Sequence, residues 1–498
     1  MRSAAITERV PGVVYTPAAI TEPMVRTALK PLRGRRDLRI CDPACGDGAF
    51  LRAAVTVLAE WMPVADARRC LVGVDLDAAA LAKVDLPGAT LVAGDALALD
   101  WSALGSFDVV IGNPPYIRQE RIAKAGLRGW SSYDGVADLY VYFVELAHRI
   151  ARPGGRYCLI VPDKWMTAAY GRRLRGFLAA AGSVEGLVDF ARAPALFADA
   201  DAFPCIVWGT VGVRTVPGAL RIADATSVAD ALARPREPQA WSDEPWYADT
   251  AAERVLLDRL ARHPRLALTP ARGVVTGCNR AFVVDRTTRD ALLAAEPAAA
   301  PLIRPFAKGR DVRRWTMAPI DRYLLVVDRG TSLEDLPHVR AHLAQFRAAL
   351  EPGTGRKPGA YRWCELQDPV GALAGSRAPR LFYQDIQTQP ACCVAGDVVP
   401  DTTVWILPDA DRFLLALLNS PLYGWFARRR FPPALNGAVR PKLEYMRTVP
   451  VADPGNARAA IAELVERGLA GEPCDDAIAT AIFDVYELSR AERALTRS

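Results

Sequence analysis

No Cys-x-x-Cys pair occurs among the ten cysteines of this 498-residue chain, and only four histidines are present. Closely spaced thiols that would hold a metal or cycle as a disulfide are therefore missing. Met1–Val10 carries charges and no apolar stretch, so no secretory signal is read there. No apolar run is long enough to span a bilayer. Without a route to an oxidising compartment, the thiols are expected to stay reduced in a cytoplasmic protein, with Cys392-Cys393 as strand filler. His338 and His342 stand at i, i+4 spacing. No third ligand accompanies them, so a solvated helix face is expected and no metal. Neither sign of charge dominates: the net charge of +6 permits a nucleic-acid partner without requiring one. Hydrophobic residues at 51% and charged residues at 24% place the chain among globular proteins, and its length exceeds one core.

What is present centres on Asn113-Pro114-Pro115-Tyr116. It follows Phe107-Asp108-Val109-Val110-Ile111-Gly112, an apolar run that reads as a buried parallel strand. The prolines end the strand, since neither donates to a ladder and both fix φ. An amide and an aromatic ring are thus held at the carboxyl end of a central strand, where open α/β sheets bind ligands. The amide can accept hydrogen bonds from an exocyclic amino group, and the ring can stack on a flat base. That pairing suits methyl transfer to an amino nitrogen. Upstream, Asp42-Pro43-Ala44-Cys45-Gly46-Asp47-Gly48 follows the strand Leu38–Cys41 and precedes a helix. Its glycines let backbone approach a ligand closely. It lacks the Gly-Lys-Ser/Thr of a nucleoside-triphosphate loop and the G-x-G-x-x-G of a dinucleotide loop. An acidic residue beside it suits a cationic, amino-acid-bearing cofactor.

These motifs resemble those of adenine-N6 DNA methyltransferases that use S-adenosyl-L-methionine, in the gamma order of motifs. The later half is similar to the TaqI-like specificity domain, and the likeness runs from about Val13 to about Val451. The resemblance implies roles residue by residue. Asn113, Pro114 and Tyr116 would be catalytic, with Tyr116 and Phe197 stacking on the flipped base and Phe203 as the alternative to Phe197. Thr16, Asp42, Ala44, Gly46, Asp75, Leu76, Asp95, Ala96, Asn113 and Phe143 would bind the cofactor. Asp75, with Asp77 as fallback, would accept from the ribose hydroxyls. Asp95 would accept from the cofactor adenine between Leu76 and Ala96. Read as local structure alone, Thr16 caps a helix whose first residue is Pro17, and Phe143 is a core residue of the helix Leu139–Arg152.

After the tetrapeptide, a basic loop with Arg118 runs to Asp138. Strands at Arg156–Pro162, Leu187–Phe190 and Cys205–Thr210 close the α/β pattern, and Pro235–Trp246 reads as a linker. Beyond it, short strands alternate with basic segments. Lys308, Arg310, Arg313, Arg314, Arg428, Arg429, Arg440 and Lys442 beside Trp and Tyr suit phosphate contact and base reading.

The expected architecture is α/β: a class I (Rossmann-like) methyltransferase domain over 1–234, a mixed α/β DNA-recognition domain over 249–455, and a helical tail over 456–498. Double-stranded DNA is the expected partner, lying in a basic cleft between the two domains, with a separately encoded restriction endonuclease beside it. No Pro-Asp…Asp/Glu-x-Lys pattern points to a nuclease in the chain itself. The residues leave two other readings open: methylation of RNA or protein glutamine, and a silent DNA-binding subunit of a defence complex.

Overall fold

The computed structural model describes residues 16–122, 124–191, 193, 203–222, 225–434 and 437–497. The chain divides into two compact units, Met1–Ala251 and Ala252–Ser498.

The first unit is built on nine strands: β1 (Ile40–Asp42), β2 (Leu71–Asp75), β3 (Thr90–Ala93), β4 (Phe107–Gly112), β5 (Ala151–Pro162), β6 (Val184–Asp189), β7 (Pro204–Thr210), β8 (Gly218–Arg221) and β9 (Glu237–Pro238). Their order is β3-β2-β1-β4-β5-β7-β6-β8-β9. Neighbours from β3 to β5 run parallel, and β7 runs antiparallel between β5 and β6. The order reverses between β1 and β4, so the crevice above their carboxyl ends is the binding position of such a sheet. All six residues of β4 are buried, as helices cover both faces. Arg156 on β5 ties the first helix, Ala18–Leu29, to the sheet. It donates to the Ala28 carbonyl at 2.9 Å and grips both Glu185 oxygens at 2.9 Å.

The structure differs from the sequence reading in two places here. The sheet does not end at β7. Only one residue of β8 is buried, so that strand carries no apolar run to announce it. The stretch read as a linker, Pro235–Trp246, is part of the first unit. Pro238 occupies an edge strand, where a missing N–H is harmless. Trp241 stacks on Trp246 at 4.1 Å, and Trp246, 1% exposed, meets Trp165 at 5.2 Å. The Trp246 N–H donates to the Met166 carbonyl at 2.7 Å. Proline and charge mark irregular backbone there, while the two indoles supply the apolar area that holds it down.

The second unit holds two four-stranded sheets. One is β10 (Ala271–Arg272), β17 (Val404–Leu407), β14 (Arg380–Gln384) and β15 (Cys392–Ala395). The other is β11 (Val283–Asp285), β13 (Arg322–Leu325), β12 (Ile303–Ala307) and β16 (Val399–Pro400). The expected separate tail is absent as such. Its helices Ala457–Leu469 and Asp475–Val485 bury Ile461, Val465, Ile478, Ile482 and Phe483 in the same core as Phe413–Leu418. Apolar spacing in those helices sends one face inward. His338 pairs with Glu296 at 3.0 Å and His342 faces the Ala281 carbonyl at 3.0 Å. Among the described residues no cluster could hold a metal, and no helix is long and apolar enough to cross a membrane. All ten cysteines are unpaired.

Trp246→Ala is expected to destabilise the protein by about 3–5 kcal/mol in denaturant titration, as truncating a buried core aromatic does. A true linker tryptophan would change it by under about 0.5 kcal/mol.

Candidate active site

β4 delivers Asn113 to the carboxyl edge of the sheet. Its Nδ2 donates to Thr16 Oγ1 at 3.0 Å, across 97 residues of chain. Its Oδ1 is buried and has no hydrogen-bond partner among the described residues. Thr16 is therefore not the helix cap expected from the sequence. Pro17 takes that position, without a side-chain cap bond, and the threonine hydroxyl accepts from the Asn113 amide instead. Pro114 is buried beside it.

Tyr116 is half-buried, with its ring edge-on to Tyr140 at 6.4 Å. The Tyr140 hydroxyl meets that of Tyr170 at 2.8 Å. Burial first, then the neighbouring Cys205, pushes the Tyr116 phenol well above its ordinary range, so it remains neutral. The sequence reading did not single out Tyr140 or Tyr170, whose contact with Tyr116 and with each other joins residues distant in the chain.

The loop after β1 is fixed by two carboxylates. Asp42 is buried and accepts from the Ala44 N–H at 3.1 Å. Gly112, at the end of β4, lies against it: a Cβ there would stand 2.5 Å from Asp42 Oδ1. Desolvation raises the Asp42 carboxyl to about 8, opposed by the Ala44 N–H and reinforced by Asp75. Asp75 accepts from the Gly46 N–H at 2.7 Å and from the Asp77 N–H at 2.8 Å. It thus braces the glycine loop, and only its remaining lone pairs are available to a ribose. Asp77 caps the helix Ala78–Leu81 through the Ala79 N–H at 2.9 Å. Leu76 is 77% exposed, an apolar side chain left without cover at the strand end. Asp95 is exposed and accepts from the Leu97 N–H at 2.9 Å. Ala96 and Phe143 are buried in one apolar cluster. Gly46 takes a left-handed φ of 53°, and Gly48 one of 85° where the next helix begins.

Phe197 lies outside the described residues. Phe203 is half-buried, and its carbonyl accepts from the Asp163 N–H at 2.8 Å. Asp163 follows β5 and Asp189 ends β6, and Cys205 on the strand between is in register with Asp189 and Val161. Arg221 reaches both Asp189 and Asp249 at 3.4 Å.

The basic residues divide by environment. Arg429 is a strut: it pairs with Glu253 and lies over Trp425 at 4.5 Å. Arg314 pairs with Asp475 at 3.0 Å, and Trp315 donates to the same carboxylate at 2.8 Å. Arg118, Arg310 and Arg313 are exposed, and Arg440 and Lys442 half-buried. None of these five makes a side-chain hydrogen bond or ion pair among the described residues. Lys308 and Arg428 are half-buried, and desolvation lowers the Arg428 pKa.

A sheet of this order, a glycine loop braced by Asp75 and an Asn-Pro-Pro-Tyr turn at the switch point define a class: the Rossmann-like fold of S-adenosylmethionine-dependent methyltransferases. Residues 71–197 match the Eco57I family, described as Eco57I restriction-modification methylase. The chain is 26% identical over 522 residues to Type II methyltransferase M.PaeR7I of Pseudomonas aeruginosa, covering 92% of this chain and 88% of that one. It is 27% identical over 433 residues to Type II methyltransferase M.XhoI of Xanthomonas vasicola, covering 78% and 76%. Among solved structures, the Type IIL restriction-modification enzyme MmeI in complex with DNA superposes with a TM-score of 0.65 at 13% identity, covering 96% of this chain and 76% of that one. That last likeness is one of fold. The chain is thus similar, along both units, to Type II restriction-modification methyltransferases.

The raised Asp42 carboxyl has a consequence for stability. A group that protonates more readily folded than unfolded contributes fully below its unfolded value of about 3.9 and loses that contribution as pH rises through its folded value. The melting midpoint is therefore expected to fall between about pH 4 and about 8. Asp42→Asn should make that slope shallower in thermal denaturation across the same range.

Proposed function

We propose that the protein is a sequence-specific DNA methyltransferase that transfers a methyl group from S-adenosyl-L-methionine to N6 of a flipped adenine, in restriction-modification or phage defence. The observation that carries this reading is the buried Oδ1 of Asn113, which has no hydrogen-bond partner among the described residues. A buried acceptor without a donor costs about 1–3 kcal/mol, and an incoming amino group relieves it.

The cofactor fits the residues present. Asp42, buried and raised in pKa, gains by facing a cation, and exposed Leu76 offers an apolar face to a flat ring. Thr16, Ala44, Gly46, Asp75, Asp95, Ala96 and Phe143 complete the proposed cofactor set. When bound, S-adenosyl-L-methionine supplies an electrophilic methyl group.

The chain's own residues do the rest. A stacked adenine does not expose its amino nitrogen in line, so the base leaves the helix. Tyr116 stacks on it, with Phe197 as the proposed partner on the other face. Asn113 Oδ1 and the Pro114 carbonyl accept from the amino group and favour the positive charge that develops on nitrogen. The Thr16 hydroxyl holds the amide in the accepting orientation. Transfer is direct, because no Pro-Cys nucleophile stands in the motif. Arg118, Lys308, Arg310, Arg313, Arg440 and Lys442 are proposed phosphate contacts on double-stranded DNA. Arg314 and Arg429, already paired with carboxylates, are the weaker candidates. A separately encoded restriction endonuclease is the proposed functional counterpart.

The test is single-molecule sequencing of DNA from a methylation-deficient host expressing the chain or its Asn113→Ala variant. N6-methyladenine in one short motif is expected with the wild type, reduced at least about 10²-fold by the variant. Modified cytosine in place of adenine would overturn the target assignment. Absence of any modified base would overturn the DNA reading.

A further inference from the structure

A turn in the second unit is held far more firmly than its surface position requires. It joins β14 to β15, an antiparallel pair whose last partners are Tyr383 and Cys392. At its base, Gln384 Nε2 donates to the Gly309 and Val312 carbonyls, both at 2.9 Å. Trp405 donates to Asp385 at 2.8 Å. Further along, Gln387 is 3% exposed. Its backbone exchanges hydrogen bonds with Val439 at 2.9 and 2.8 Å. Its amide donates to the Ala391 carbonyl at 3.2 Å and accepts from the buried Tyr423 hydroxyl at 3.3 Å. On the far side, Asn419 clamps Cys392 through bonds of 2.9 and 2.8 Å. Pro390 rests against Gly424, where a Cβ would stand 2.8 Å from the proline ring.

All this order surrounds two exposed side chains. Thr388 and Gln389 are exposed, and neither makes a hydrogen bond among the described residues. They line a shallow cavity together with Arg428, which projects from the helix Pro421–Arg430. The next residue, Arg429, is turned away to Glu253. Ordering a turn from several sides around an idle amide is how a recognition element is made rigid before its ligand arrives. Glutamine and arginine are also the two side chains whose forked donors and acceptors match the major-groove edges of adenine and guanine.

We propose that the turn 385–391 is a base-reading element, in which Gln389 and Arg428 contact base edges of the target DNA while Gln387 fixes the turn. This rests on the DNA methyltransferase reading and adds to it the residues that choose the sequence. Phosphate contacts would weaken binding at every sequence alike, whereas base contacts discriminate at one position.

The experiment methylates a DNA library randomised around the wild-type motif with purified full-length protein and its Gln389→Ala and Arg428→Ala variants, read by single-molecule sequencing. Each variant is expected to keep methylating while preference at one base position, different for the two, relaxes by about tenfold or more. Arg428→Lys, which keeps the charge and loses the fork, is expected to relax the same position as Arg428→Ala. It serves in its place if that variant melts early. An unchanged motif, or a uniform fall at all sequences, overturns the base-reading role and leaves the methyltransferase reading standing. A wild-type protein that modifies no member of the library overturns both.

Discussion

One oxygen, Asn113 Oδ1, is buried without a hydrogen-bond partner among the described residues, at the end of a fully buried strand. A lone buried acceptor would normally be relieved by rotation of its amide or by local opening. Both routes are closed. The Thr16 hydroxyl takes the other end of the amide at 3.0 Å. Two prolines fix the backbone after it. The strand before it is buried along its whole length between β1 and β5. The amide is thus held in one orientation at the carboxyl end of β4.

The same edge carries a second buried polar group. The Asp42 carboxyl lies against Gly112, with no room for a side chain between them. Desolvation there opposes charge, while a cationic ligand would restore it. Asp75 meanwhile ties the glycine loop to β2 through the Gly46 N–H. The glycine loop and the Asn-Pro-Pro-Tyr turn are therefore neighbours because β1 and β4 are, and the close approach depends on Gly112, a residue without a Cβ.

In the second unit, positive charge does two different jobs. Arg429 and Arg314 hold elements together through Glu253 and Asp475, the second of these on a helix near the end of the chain. Arg310, Arg313, Arg440 and Lys442 carry no such partner among the described residues. Counting basic residues along a sequence does not separate the two groups, since a carboxylate 176 residues away decides that Arg429 is committed to the fold.

By itself the sequence determined the α/β class, the strands β1 and β4 to β7 and the two loops at the strand ends, because those signals are local. Apolar runs define buried strands, and prolines and glycines define where they stop. It also determined which chemistry to expect of Asn113 and Tyr116, since amide and ring are properties of the residues. Only tertiary structure decided that Thr16 serves Asn113 and does not cap a helix, that Trp241 and Trp246 pin down a proline-rich strap, and that the last helices belong to the core of the second unit. It alone also decided that Gln387 is buried while Gln389 stays exposed. In each case the partner is distant in the chain, and a side chain's task is set by what the fold brings within about 3 Å of it.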